Sequence, residues 1–346
     1  MNGMSPEPLV LPAEWAPQSG VQLTFPHADT DWAPYLHEAV RCFSRIASEI
    51  SRREKLLVVA PDPAMVLSAL AGCNMDNLRI VELKTNDTWA RDHGGITVLR
   101  DGHPEVLDFA FNGWGNKFDA ALDNEITGRL FSASAFSPGI PRKDYLDFVL
   151  EGGSIESDGQ GTILTTSECL LSPHRNAPMT RTDIEAIFRK VLGANRVLWL
   201  DHGYLAGDDT DSHIDTLARF CDPQTIAYVR CDDESDVHFD ALQKMEAALS
   251  AFTTADGRPY RLIPLPMADP MVEDGERLPA TYANFLIING AVLMPAYDSA
   301  KDEIAARALA DAFLDRQIVP IDCRVLVKQH GSLHCVTMQY PEGVLP

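Results

Sequence analysis

Apolar positions along the chain follow two periods. Helical spacing recurs at roughly 33–53, 119–131, 181–192, 237–252 and 301–316. The third stretch has the clearest ends. Thr182-Asp183-Ile184-Glu185 reads as a capping box, and Gly193 reads as a C-terminal stop. The fifth is rich in strong helix formers and predicts an apolar stripe of Ile304, Ala308, Leu309 and Ala312. Between the helices lie paired apolar runs with strand character. Residues 216–220 precede 225–230, and residues 284–288 precede 291–294 across Asn289-Gly290, a strong hairpin signal. A further strand follows each helix, as at 196–200 and 317–321. Segment 268–280 is charged and aperiodic, and reads as a loop excursion.

The unit is therefore hairpin, helix, strand. Its hairpins begin at Asp92, Glu151, His213, Asn284 and Cys335. The fifth unit opens with the C-terminal strand at Cys335. It continues in the N-terminal strand 21–25, helix 33–53 and strand 55–59, so both chain ends share one unit. Five such units closing on themselves predict a ring, an α/β propeller forming a single domain over 1–346. An open α/β sheet is the alternative that strand–helix alternation also permits. The ring carries a consequence for chemistry. If each first strand starts near the axis, an Asp, a Glu, a His and a Cys meet there.

Composition narrows the ligand. Against 29 Lys+Arg stand 50 Asp+Glu, a formal net charge of −21. Such a surface repels nucleic acid and anionic membranes and attracts small cations. No run of about 18 apolar residues suggests a membrane span. The start Met1-Asn2-Gly3-Met4-Ser5 lacks the basic and apolar regions of a signal peptide. The seven cysteines are odd in number and contain no CxxC. A disulfide framework or zinc ribbon is not expected, and a reducing, cytoplasmic compartment fits. The size is compatible with a homo-oligomer.

Cys335 follows the small residues Gly331 and Ser332 and is the candidate nucleophile, active as thiolate. On a strand beginning at Cys335, His334 points to the opposite face and is a poor partner. His213-Ile214-Asp215 read as strand sends both polar side chains one way, one for proton transfer and one for charge. The stretch 207–213 is acidic enough to suggest calcium, but lacks the offsets of an EF-hand loop. Trp89-Ala90-Arg91-Asp92 leads into Gly94-Gly95, which permits close backbone approach to a ligand. Glu151 precedes Gly152-Gly153 and suits a carboxylate presented at a site. Together a thiolate, an imidazole and carboxylates suit attack on a guanidinium carbon. Two rivals stay open. One is a metal-dependent hydrolase built on His213, Asp209, Asp211 and Asp215. The other is a non-catalytic propeller that binds a cationic partner.

Four stretches in this order resemble the agmatine deiminase and bacterial peptidyl-arginine deiminase family of the guanidine-modifying (pentein) superfamily. They are 85–92 (TNDTWARD), 150–155 (LEGGSI), 207–215 (GDDTDSHID) and 333–337 (LHCVT). The resemblance implies a five-bladed α/β propeller that hydrolyses a guanidinium to a ureido group plus ammonia, with no metal or organic cofactor. It implies Cys335 as nucleophile, His213 as general acid/base, and Asp92 and Asp215 gripping the guanidinium. It further implies Glu151 binding a guanidinium nitrogen and supporting His213, and Trp89 lining the substrate channel. Agmatine, giving N-carbamoylputrescine, is the first expected substrate, with peptidyl-arginine or free arginine as alternatives. Two positions depart from the family pattern. Glu156 stands where agmatine deiminases tend to carry His, and Gln329-His330-Gly331-Ser332 replaces a glycine-rich run with Asn.

Overall fold

The computed structural model describes residues 8–346. Their main strands form five sheets that repeat one pattern: an antiparallel hairpin, a crossover, and a third strand parallel to the middle one. The first blade is Ile96–Arg100, His103–Ala110 and Arg142–Val149. Next come Ile155–Ser157, Thr162–Thr166 and Arg196–Leu200. The third is Ala218–Asp222, Thr225–Arg230 and Arg261–Pro266. The fourth is Leu286–Ile288, Ala291–Ala296 and Gln317–Asp322. The fifth joins the chain ends. Thr337–Pro341 pairs antiparallel with Gln18–Thr24, which runs parallel to Lys55–Ala60 and, through it, Leu78–Glu82. This is the five-bladed α/β propeller; the last strand and the first long strand share a blade, whereas Leu9–Val10 instead pairs antiparallel with Leu99 and Arg100 at the edge of the first blade.

Burial on both faces explains why these strands read as unbroken apolar runs. In Lys55–Ala60, Leu56, Val58 and Ala60 enter one buried cluster while Leu57 and Val59 enter another. Period-two alternation thus serves two cores at once. Helices cover the blades at Leu36–Ser51, Ile126–Ser132, Arg181–Val191, Phe239–Ala251 and Ala300–Ala312. Leu36–Ser51 sends Phe43, Ile46, Ala47 and Ile50 into the core, the spacing of a single helical face.

Several local expectations need correction. The stretch 119–131 is helical only from a 3₁₀ turn at Asp123–Glu125 onward. The helix Arg181–Val191 is capped two residues earlier than expected. Thr180 is the N-cap, and Asp183 returns a 2.8 Å hydrogen bond from the Thr180 N–H. Thr180 holds the extended backbone an N-cap needs, whereas Thr182 is already helical. In Ala300–Ala312, Ile304 is 55% exposed, and Ala305 with Leu309 faces the core instead. An alanine at the contact lets the helix sit close to its sheet. Segment 268–280 contains a small hairpin of Val272–Glu273 and Glu276–Arg277. No helix among the described residues is long and apolar enough to cross a membrane.

The largest correction concerns the ends of the inner strands. The chain reaches each of them through a short turn. Ala90–His93 is a single helical turn, and Gly152–Ser154 and Ile214–Thr216 are 3₁₀ turns. The last strand begins at Thr337, after Cys335. The five marker residues therefore sit on compact turns just ahead of the strands, and these turns pack against one another at the axis.

Candidate active site

Gly153 lies at the meeting point. A β-carbon built on it would lie 2.7 Å from His213 Nδ1, 2.8 Å from Asp92 Oδ1 and 3.1 Å from Asp215 Oδ2. Two blades, one carrying Asp92 and the other His213 with Asp215, thus present three polar groups to a bare α-carbon of a third. The Gly153 N–H donates to Asp92 Oδ1 at 3.0 Å, and His213 Nδ1 stands 3.6 Å from the same oxygen. Cys335 completes the group. Its sulfur is 3.9 Å from Asp215 Oδ2 and donates to Asn284 Oδ1 at 3.3 Å. His213 caps the 3₁₀ turn Ile214–Thr216, which contains Asp215, so a turn rather than a pleat brings both side chains inward. Gly153→Ala is expected to displace these groups and lower kcat/KM by about 100-fold, since shifts near 1 Å cost that much. Retained cooperative unfolding with lost turnover is the expected signature, and unchanged kinetics would show that the crowding is inconsequential.

Burial sets the electrostatics. Asp92 is pushed well above the ordinary carboxylate range by desolvation first, then by the charges of Asp215 and Glu151; the Trp114 and Gly153 N–H groups oppose this. Burial also raises Asp215, but the hydrogen bond and charge of His334, with His213 and Arg219, outweigh it and leave Asp215 below its usual value. The two acids are thus driven apart, one toward the neutral form and one held ionised. Burial, then Asp215 and Asp92, pushes the Cys335 thiol well up. Burial pulls His213 down to about 3. Burial thus favours the neutral thiol and the neutral imidazole. Two buried polar atoms there, His213 Nε2 and Asp215 Oδ1, have no hydrogen-bond partner. Leaving such groups unmade is costly and marks a place for a ligand.

Three functional neighbours escaped the sequence reading. Trp114 donates its indole N–H to Asp92 Oδ2 at 2.9 Å. It sits in a left-handed turn with φ 56° between Gly113 and Gly115 (φ 64° and 86°), strain that a bulky residue rarely carries. A Trp inside Asn112-Gly113-Trp114-Gly115-Asn116, a run of residues tolerant of positive φ, is the signal that could have found it. Arg175 is fully buried and grips both Glu151 oxygens through Nε at 2.9 and 3.0 Å, and Asp211 through Nη1 at 2.6 Å. The Glu151 carboxylate is therefore occupied by Arg175, and burial raises it despite that cation. Asn284 was marked only as a hairpin start. Its Oδ1 accepts from Cys335 Sγ and from the His334 and Cys335 N–H groups.

A cleft of about 190 Å³ opens from Cys335 and Asp92 to the surface. Trp89, Trp114 and Phe118 form its apolar wall, and Asp31, Asp87, Asp208 and Asp209 its acidic one. No lysine or arginine lines it among the described residues. Gly331 closes one side so tightly that a β-carbon there would meet the Trp89 ring at 2.1 Å. Of the two departures, Gln329, His330 and Gly331 line this cleft. Glu156 does not, because it is buried behind the site in an ion pair with Arg219.

Among the described residues, two buried groupings bring metal-binding residue types together: Glu151, Cys169 and His213, and Glu14, Glu156 and His334. Each already contains an arginine, Arg175 in one and Arg219 in the other. The acids of the 207–213 loop are similarly engaged. Asp208 accepts from Thr210 and Ser212, and Asp211 from Lys117 and Arg175.

A five-bladed α/β propeller with a thiol, an imidazole and two acids at its axis defines the guanidine-modifying class of enzymes. The profile of the Porphyromonas-type peptidyl-arginine deiminase family matches residues 10–341. The agmatine deiminase of Stutzerimonas stutzeri is 32% identical, the alignment covering 96% of this chain and 95% of that protein. Two solved structures are similar throughout. A candidate arginine deiminase of Porphyromonas gingivalis is 56% identical with a TM-score of 0.94, covering 98% of this chain and 100% of that one. A substrate-bound cysteine-to-serine variant of C. jejuni agmatine deiminase is 38% identical with a TM-score of 0.90, covering 97% of each. This chain belongs to the Porphyromonas-type peptidyl-arginine deiminase family. It is a deiminase, a hydrolase of guanidine C–N bonds.

Proposed function

We propose that this chain hydrolyses agmatine to N-carbamoylputrescine and ammonia through a covalent thiouronium on Cys335. The observation that carries this reading is the convergence of Asp92, His213 and Asp215 on Gly153, with the Cys335 sulfur beside Asp215. A guanidinium placed there meets Asp215, already ionised, and Asp92, which ionises as the cation enters. Paired carboxylates hold its planar fork and fix its carbon over the sulfur at about 3–3.5 Å. The same positive charge stabilises the thiolate, so Cys335 passes its proton to His213 only when substrate is present.

The thiolate adds to the guanidinium carbon. His213, now imidazolium, protonates the departing nitrogen, and ammonia leaves as the C–N bond breaks. The S-alkylthiouronium remains. Neutral His213 then takes a proton from water, the hydroxide adds to the carbon, and the C–S bond breaks to release the ureido product. Glu151 stands behind His213, within the same buried grouping as its ring. Its charge favours the imidazolium that forms during turnover. Trp89 lines the channel along the substrate's chain.

Agmatine is favoured over free or peptidyl arginine by the cleft wall. Four acids and no lysine or arginine line the cleft toward the substrate's far end. An amine suits that wall, whereas an α-carboxylate would be repelled. Ammonia and ureido product should be measured with agmatine, arginine and a peptidyl-arginine side by side. Agmatine is expected to give the highest kcat/KM. An equal or higher value for either of the others would overturn the assignment.

A further inference from the structure

Behind Asp215, on the side away from the cleft, lies a buried polar group that the reaction above does not use. His334 Nδ1 is 2.7 Å from Asp215 Oδ2, and its Nε2 is 2.7 Å from Glu14 Oε2. Both neighbours are carboxylate oxygens, so satisfying both requires an N–H on each ring nitrogen. Glu14 lies ahead of the first long strand, far from Cys335 in sequence. Its Oε1 accepts from the Ile287 N–H at 2.7 Å, and its Oε2 also accepts from Arg219 Nη2 at 2.7 Å. Arg219 Nη2 in turn lies 3.1 Å from His334 Nε2, so the Glu14 carboxylate stands between the Arg219 guanidinium and the His334 ring. Arg219 is itself fixed by Glu156 and by the Phe285 carbonyl. Burial raises Glu14, but Arg219, His334 and Arg91 overcome it and hold the carboxyl well below its usual range. Every member is buried.

We propose that Glu14 and His334 are positioning residues that act through Asp215. His334 fixes one Asp215 oxygen and keeps the carboxylate charged, and Glu14 fixes His334. The consequence appears at the other oxygen. Asp215 Oδ1 is buried and unpartnered, so the relay leaves it as the preset acceptor for a guanidinium N–H. Asp92 has no such backing cation, and desolvation with the charges of Asp215 and Glu151 pushes it upward instead. The Glu14–His334–Asp215 line thus decides which acid is the permanent anion. It also gives His334 a task that its place beside the nucleophile disguises, since it serves Asp215 rather than the Cys335 sulfur.

This inference rests on the reading of the cleft as an agmatine site, and the test separates the two. Agmatine affinity is measured by calorimetry in the Cys335→Ser protein, alone and with Glu14→Gln, Asp215→Asn, or both. Failure of Cys335→Ser itself to bind agmatine would sink the substrate reading. Given binding, Glu14→Gln is expected to weaken it about 10- to 100-fold where Asp215 is present, the worth of one hydrogen bond between charged groups. In the Asp215→Asn background the same change should cost less than about twofold, because the residue it acts through is gone. Equal weakening in both backgrounds, or none in either, overturns the proposal. His334→Gln is the second variant, with the same expectation, since an amide cannot donate to both carboxylates at that spacing.

Discussion

Ammonia release from agmatine is expected to fall by roughly 10⁴-fold or more in Cys335→Ser, with the fold and substrate binding retained. The serine hydroxyl is nearly isosteric and can still donate to Asn284 Oδ1, which now accepts from the thiol at 3.3 Å. Nothing in the buried surroundings is left unpaired. The chemistry is what fails. A thiol pushed up by burial and two carboxylates still lies within reach of ionisation once a cation arrives. A hydroxyl starts so much higher that neither the guanidinium nor His213 can strip its proton. Mass spectrometry of wild-type protein quenched during turnover should show the thiouronium adduct on the peptide containing Cys335, and the serine variant should show none. Near-normal ammonia release by the variant would remove the covalent route.

Asp92→Asn is expected to weaken agmatine binding by about 10²- to 10³-fold, the cost of removing one partner of a buried ion pair. A second readout gives this effect a sign. In the empty site Asp92 is held toward its protonated form, chiefly by desolvation. A bound guanidinium favours the carboxylate, so Asp92 loses its proton as the substrate enters. Binding to Cys335→Ser, where no thiol proton can contribute, should therefore release about one proton. Affinity should rise with pH up to the raised Asp92 value, because the free protein carries the extra proton. In Asp92→Asn that proton release should vanish along with most of the affinity. Calorimetry in buffers of different ionisation enthalpy measures both. Proton release that persists in Asp92→Asn would point to another group, and unchanged affinity would take Asp92 out of the site.

Much of this architecture could be read along the chain. Hairpin, helix and strand recur because each blade buries its strands on both faces and its helix on one, and burial writes periods of two and 3.6 locally. The turn at Asn289-Gly290 and the stop at Gly193 were visible because only certain residues tolerate positive φ, here 72° and 71°. The placement of Asp92, Glu151, His213 and Cys335 at equivalent points of successive units followed from counting those units. What the reading missed has a common cause. His334 looked idle because a strand was assumed to begin at Cys335, whereas the turn before Thr337 sends the two neighbours to different partners. Glu156 looked like a change at the substrate, whereas its carboxylate pairs with Arg219 behind the site. Ile304 looked like a core residue because it lies one turn before Ala308, but it sits at the edge of the buried face, where Ala305 takes its place beside Ala308, Leu309 and Ala312.

By itself the sequence determined the repeated unit, the sharing of one blade by the last strand and the first long one, and the kinds of reactive group brought to the axis. These depend on local periodicity and on residue identity, which the chain carries in order. The tertiary structure alone decided that His334 holds Asp215 down while burial pushes Asp92 up, that Arg175 occupies Glu151, and that Trp114 and Asn284 attend the reacting groups. Charge state and hydrogen-bond choice depend on desolvation and on separations of a few ångströms between residues distant in the chain, and no run of letters records those separations.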